Sequence, residues 1–293
     1  KGDLANCLSA LTRQQGVEQT KIEIIVPCDD RVPDLPARQQ QFPHVQFLPF
    51  TGRRTYAELR AQGVNQAGGS IIALTEDQCT PVPDWCAGIL QAHQQPPAAI
   101  GGPVEKTGPD TALNWAFYLA DYVRYANPRP AGPADHLTDC NVTYKRAALE
   151  AIAPVWRTEF HEPEVHAALQ AAGHTLWFAP ELTVHQHRRM TLRQAIRDRY
   201  AFGRLFGSGR AAGQPLSRRL AFAAAGLALP LLLTGRVAGH VFRRRRYRAA
   251  FLRALPALAL VSTVWAWGEL AGYLTGQAEE SLSPANAVNE RSL

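Results

Sequence analysis

The sequence predicts an α/β fold, a mostly parallel sheet flanked by helices, followed by a helical appendage. Three observations carry this. Short apolar runs alternate with segments of helical spacing over the first two thirds of the chain, the pattern of parallel strands joined by crossover helices. Two acidic pairs, Asp29-Asp30 and Glu76-Asp77, close such runs, and open α/β sheets bind ligands beyond the carboxyl ends of their strands. Beyond residue 205 the alternation gives way to apolar stretches around an arginine run. The 293 residues suffice for one sizeable α/β domain and an appendage.

The elements follow in order. Leu4, Cys7, Leu8 and Leu11 recur at helical spacing, and Gly16 can stop the helix they make. Lys21 to Pro27 reads as a buried strand that delivers Asp29 and Asp30 at its end. Val45 to Phe50 is a second strand, and Tyr56 to Gln66 is a helix. Ser70 to Leu74 is a third strand, with Glu76 and Asp77 at its carboxyl end. A helix follows Asp84-Trp85 to about His93. Ile100 to Val104 reads as one strand, Asn114 to Tyr125 as an aromatic-rich helix, and Asn141 to Tyr144 as a short strand before a helix over Ala147 to Ile152. Pro163 to Ala172 is a helix closed by Gly173. Thr175 to Ala179 is a strand, with Val184-His185 just beyond it.

The charge is uneven. The chain carries 31 Lys+Arg against 25 Asp+Glu, a formal charge of +6. From Arg188 onward arginine dominates, and Arg243 to Arg246 are consecutive, so the C-terminal part is expected to meet an anionic surface. The apolar flanks of that run favour lipid over nucleic acid. The five cysteines form no metal-ligand spacing. They read as small buried apolar residues in a reducing compartment.

Two apolar segments mark the appendage. Residues 254–275, about 22 in number, are long enough to cross a bilayer. Arginine precedes them and Glu279 and Glu280 follow, which puts their N-terminal end on the cytoplasmic side. Residues 220–234, about 15 in number, fall short of the ~20 a span needs. They are expected to form a re-entrant or interfacial helix. The alternative is that both segments are buried helices of a soluble bundle.

Several motifs then converge. Arg60-Ala-Gln-Gly63, Ala67-Gly68-Gly69, the strand ending Leu74-Thr75-Glu76-Asp77, and Pro83-Asp84-Trp85 resemble the core of family 2 glycosyltransferases of the GT-A fold. The opening helix, Glu23-Ile-Ile-Val26 and Asp29-Asp30 resemble the start of that family. The resemblance covers roughly residues 1 to 205. It implies a GT-A-like catalytic domain over 1–205 and a membrane-associated helical region over 206–293. It also implies an apolar first strand upstream, which this sequence lacks.

The resemblance implies roles as well. Asp29, Asp30, Arg60 and Glu76 would hold the nucleotide, and Asp77 with His185 would bind Mg²⁺ or Mn²⁺, hard cations suited to carboxylates beside a diphosphate. Glu162, at the start of its helix, would be the base that takes the acceptor hydroxyl's proton. The third position of the acidic triplet is Gln78, where the family often has an acid. The segment Asp139 to Arg146 would contact acceptor or sugar. The arginine-rich stretch Arg197 to Arg204 would lie near the pyrophosphate or on headgroups.

The expected function is metal-dependent, inverting transfer from a nucleotide-sugar donor to a lipid-linked or envelope polysaccharide acceptor. The expected location is the inner membrane, with catalysis on its cytoplasmic face. The alternatives are a catalytically impaired membrane scaffold with the same fold and a sugar nucleotidyltransferase-like enzyme. The second would need a Gly-rich, basic phosphate loop that the sequence does not show.

Overall fold

The computed structural model describes residues 4–276. Glu279 and Glu280 lie outside the described residues, as do residues 1–3. The chain separates into two compact units. One combines the first 107 residues with 125–187, and the other combines 108–124 with the segment after 187.

The first unit is α/β. Helix α1 (Leu4–Leu11) precedes strand β1 (Ile25–Cys28), helix α2 (Leu35–Gln41) and strand β2 (Gln46–Pro49). Strands β1 and β2 pair in parallel. Helix α3 (Tyr56–Gln66) opens on a capping box, in which Thr55 accepts from the Glu58 backbone and Glu58 accepts from that of Thr55. Ala57, Ala61 and Val64 form its buried face, with Arg60 at the edge of that face. Strand β3 (Ile71–Thr75), strand β4 (Cys79–Pro81) and helix α4 (Trp85–Ala92) follow.

The single strand expected over Ile100 to Val104 is two strands, β5 (Ala99–Gly101) and β6 (Val104–Lys106), in different sheets. Gly102 and Pro103 separate them. A side chain at Gly102 would collide with the Leu182 backbone, and proline offers no N–H to a ladder.

Further along lie β7 (Gly132–Pro133), β8 (Asn141–Lys145), α6 (Arg146–Ala151), α7 (Ala153–Trp156), α8 (Glu162–Ala171), β9 (Leu176–Phe178) and β10 (Val184–Gln186). Helix α5 (Ala112–Asp121) belongs to the second unit.

The sheets are mixed, which corrects the expectation of a mostly parallel arrangement. The five-stranded sheet runs β3-β8-β5-β9-β7. Strand β8 is antiparallel to both β3 and β5, β9 is parallel to β5, and β7 is antiparallel to β9. A second sheet runs β4-β10-β6, with β10 antiparallel to β4 and parallel to β6. Apolar strand runs do not encode direction, so the sequence pattern could not reveal β8's reversal.

The core packs Ile72, Val142, Tyr144 and Phe178 of the large sheet with Trp156, Phe160, Val165 and Leu169 from α7, α8 and the turn between them. Asn141 fixes β8 inside this core. Its amide donates to the carbonyls of Pro103 (2.9 Å) and Leu182 (2.6 Å), and its oxygen accepts from the Trp85 indole (3.1 Å). All five cysteines are free; four are buried and Cys86 is half-buried. Trp156 is core, with its indole donating to the Leu149 carbonyl.

The second unit is helical. It contains α5, α9 (Leu192–Ala211), α10 (Leu216–Gly226), α11 (Leu229–Arg244) and α12 (Arg248–Thr275). Helices α9 and α12 approach until backbones touch. A Cβ at Gly203 or Gly207 would overlap the carbonyls of Trp265 and Glu269, and one at Gly268 or Gly272 would overlap those of Tyr200 and Arg204. The apolar segment 220–234 is not one helix. It crosses the break between α10 and α11, whose axes differ by 54°. Helix α12 is long and apolar enough to cross a membrane, with 28 residues and a mean hydropathy of 1.6 over its most apolar window.

Candidate active site

Helix α3 supplies Arg60, the turn after β3 supplies Glu76 and Asp77, the approach to β8 supplies Asp139, and the first turn of α8 supplies Glu162. These meet. Arg60 donates to Asp139 at 2.6 Å, to Glu162 at 3.2 Å and to Glu76 at 3.5 Å. The reversal of β8 explains why Asp139 takes part. Thr75 at the carboxyl end of β3 pairs with Asn141 at the amino end of β8, so Asp139, two residues before β8, falls beside the Glu76 turn. Asp139 and Glu162 are buried, whereas Arg60 keeps 14% exposure and Glu76 20%. The cluster therefore opens to solvent on one side.

Its charge is unbalanced. Burial raises the Glu162 carboxyl well above the usual carboxylate range, Asp139 adds to this, and Arg60 opposes it. Burial and then Asp139 push the Glu76 carboxyl up to about 7, against the pull of Arg60 and Gln78. The same acids raise the Arg60 guanidinium, against its burial. A cation bound here would relieve the repulsion among the acids.

The Glu76 turn is closed by the Cys79 N–H donating to the Glu76 carbonyl at 2.9 Å. Gln78, at the position of an expected acid, donates to Glu76 Oε2 at 2.9 Å. Asp77 and Glu76 both lie close enough to Tyr56 to help burial push its phenol up to about 12.

Tyr56 links this cluster to the end of β1. There Asp29 is buried, and its oxygens accept from the Arg31 N–H (3.0 Å), the Arg31 guanidinium (2.6 and 2.8 Å) and the Arg54 N–H (2.9 Å). Burial pushes the Asp29 carboxyl up, but these donors more than reverse that and hold it below its ordinary value. Asp30 accepts from the Gly52 N–H at 2.8 Å. The Arg31 guanidinium sits 5.5 Å from the Tyr56 ring centroid.

His185 lies on β10 opposite Thr80 of β4, and the next-but-one residue, His187, donates its N–H to the Gln78 carbonyl at 2.8 Å. His185 Nδ1 is buried and has no hydrogen-bond partner. Among the described residues no three His, Cys, Asp or Glu side chains stand at metal-binding spacing. A divalent ion held by one or two carboxylates and substrate phosphates does not need three. The carboxylates of the Glu76 turn have the oxygen-donor chemistry for such an ion.

The sequence singled out Arg60, Glu76 and Glu162, and the structure brings these three together. It holds Asp29 and Asp30 apart from them at the end of β1. Asp139 had been read only as part of an acceptor-side segment, and Arg31 and Tyr56 were not singled out. For Asp139, an acid just before a short strand was the available signal. Arg199, from the arginine-rich stretch, pairs within the helical unit with Asp121 at 2.6 Å.

This arrangement is an α/β unit with carboxylates gathered around one guanidinium, and its fold is of the GT-A kind. The chain belongs to glycosyl transferase family 2, whose model matches residues 1–153. That match ends before Glu162 and His185. The mannosyltransferase PcManGT from Pyrobaculum calidifontis, solved with GDP-Man and Mn²⁺, aligns over 94% of this chain and 82% of its own, with 18% identity and a TM-score of 0.51. GalNAc-T7, solved with UDP, GalNAc and Mn²⁺, aligns over 66% of this chain and 42% of its own, with 10% identity and a TM-score of 0.50. At these identities the likeness is one of fold. No curated protein matches the chain in sequence.

Proposed function

We propose that this transferase moves a sugar from a nucleotide-sugar donor, with inversion and with a divalent cation, to a lipid-linked or envelope polysaccharide acceptor. The observation that carries it is the convergence of Glu76, Asp139 and Glu162 on Arg60.

Glu162 is the base. Its carboxylate takes the acceptor hydroxyl's proton as that oxygen attacks the anomeric carbon, and burial with Asp139 raises its affinity for the proton. A single base on one face of the sugar gives inversion. Arg60 orients Glu162 and lies beside Glu76. Glu76 commits its two oxygens to Arg60 and Gln78, which favours Asp77 as the carboxylate for Mg²⁺ or Mn²⁺, with His185 as the nitrogen ligand. The cation would neutralise the departing diphosphate. Asp29 acts on the nucleotide through Arg31, which it holds beside Tyr56, and Asp30 shapes the loop at Gly52. The Mn²⁺ and nucleotides in the two structural relatives support the choice of donor class and metal.

Residues 1–205 contain every one of these groups, and residues 206–293 are the membrane-associated region. Helix α12 is the candidate span, and Leu227, Leu231 and Leu232 around the α10–α11 bend are strongly exposed, as an interfacial pair would be. The arginine run supports placement at the cytoplasmic face of the inner membrane.

A panel of UDP- and GDP-sugars, screened by thermal shift with and without Mn²⁺, tests the donor class. A shift that needs both sugar nucleotide and metal is expected. No shift with any donor would remove the proposal.

A further inference from the structure

The helical unit contains a cavity of about 50 Å³ whose lining mixes arginines with apolar side chains. A single water needs about 10–15 Å³ by the same measure, so the space admits a group of several non-hydrogen atoms. Three elements bring cations to the lining: Arg124 from the turn after α5, Arg199 from α9 and Arg236 from α11. Asp121 is the one acid among the lining residues, and it already accepts from Arg199 at 2.6 Å and Arg188 at 3.5 Å. The lining therefore carries an excess of positive charge. Arg244 reinforces it by donating to the carbonyls of Val123 and Arg124, the latter at 2.6 Å, which ties the end of α11 beside Arg124. His240, also in the lining, sits in the field of Arg124, Arg236, Arg243 and Arg244.

The rest of the lining is largely hydrocarbon, with Leu233 and Val237 of α11 and Leu258, Val261 and Trp265 of α12 around the same space. Guanidinium groups pair with phosphate through two parallel hydrogen bonds. Apolar walls beside them suit alkyl carbons. A free phosphate would use only the arginines.

We propose that this cavity binds the phosphate headgroup of an anionic lipid, with the first carbons of the lipid against Leu233, Val237, Leu258 and Val261. Arg236, exposed at the surface of α11, is the group that engages an arriving headgroup. This is a binding site distinct from the transfer chemistry proposed above and goes beyond it.

The test uses the intact chain in neutral-detergent micelles, titrated with phosphatidic acid, with phosphatidylcholine and with inorganic phosphate, and read by native mass spectrometry. Saturable binding of phosphatidic acid is expected, with phosphatidylcholine and inorganic phosphate at least tenfold weaker. Arg236→Gln is expected to weaken phosphatidic acid binding about tenfold, the loss of roughly one charge-assisted hydrogen bond. Leu233→Trp, which fills the cavity, is expected to do the same. Arg243→Gln, outside the lining, is expected to stay within about twofold.

Equal losses for Arg236→Gln and Arg243→Gln would reduce the effect to a diffuse basic surface and overturn the site. Inorganic phosphate binding as tightly as phosphatidic acid would overturn the lipid assignment. Donor-induced thermal shifts on the same samples report the catalytic site alone, so failure of one proposal leaves the other readable.

Discussion

Arg60 and Glu162 stand 102 residues apart in the chain, yet the guanidinium donates to the carboxylate at 3.2 Å. That bond ties α3 to α8. The same side chain also holds Asp139 and Glu76, so its loss leaves three acids without their shared counter-charge.

Arg60→Met is expected to cost about 3–5 kcal/mol, the usual result of removing one partner from a buried ion pair. Urea denaturation measures it. A midpoint unchanged from wild type would show that the cluster does not depend on Arg60.

Asp139→Asn changes the acids it repels. Burial remains the larger cause of the raised Glu162 and Glu76 carboxyls, but the negative charge of Asp139 is the next. Removing it lowers both. A base that ionises at lower pH extends activity to lower pH, so the acidic limb of the pH–rate profile is expected to move downward. An unmoved limb would take Asp139 out of the electrostatics of the site.

Two buried histidines set a pH dependence of stability. Burial, with Lys145, lowers His93 to about 4, and burial, with His136, lowers His166 to about 3, from an ordinary value of 6.5. His93 bonds the Thr143 hydroxyl at 2.7 Å and His166 the Tyr144 hydroxyl at 2.9 Å. Below pH 6.5 the unfolded chain binds protons that the folded chain refuses. Stability is therefore complete above 6.5 and lost as pH falls toward the folded values, by up to about 1.4 kcal/mol per pH unit for each histidine. His93→Gln is expected to give a shallower acid slope in thermal denaturation. An identical slope would mean that His93 does not titrate in this way.

Chelation tests the cation. Transfer is expected to vanish in EDTA and to return with Mn²⁺ or Mg²⁺. Asp77→Asn is expected to raise the cation concentration for half-maximal activity by about tenfold. Full activity in EDTA would exclude a metal-dependent reaction.

Much of this was legible in the sequence. Helix α3 runs over the residues expected of it, Tyr56–Gln66, and the capping box of Thr55 and Glu58 fixes its start. Glu76 could be singled out because it sits at the carboxyl end of a strand, and Glu162 because the resemblance to family 2 glycosyltransferases implies a base there. Asp139 was harder to read. Its place beside Glu76 depends on β8 running against β3, and strand direction leaves no trace in an apolar run. The split of β5 from β6 hinged on the close approach of Leu182 to Gly102, a contact some 80 residues away in sequence. The break between α10 and α11 was hidden because both sides of it are apolar.

The central claim is that Glu162 is the base of a sugar transfer run from the Arg60 cluster. The most direct measurement compares wild type and Glu162→Gln for release of nucleotide diphosphate in the presence of donor, acceptor membranes and Mn²⁺. Turnover is expected to fall by about 10²–10⁴-fold, with donor binding by thermal shift unchanged. Turnover equal to wild type would contradict it.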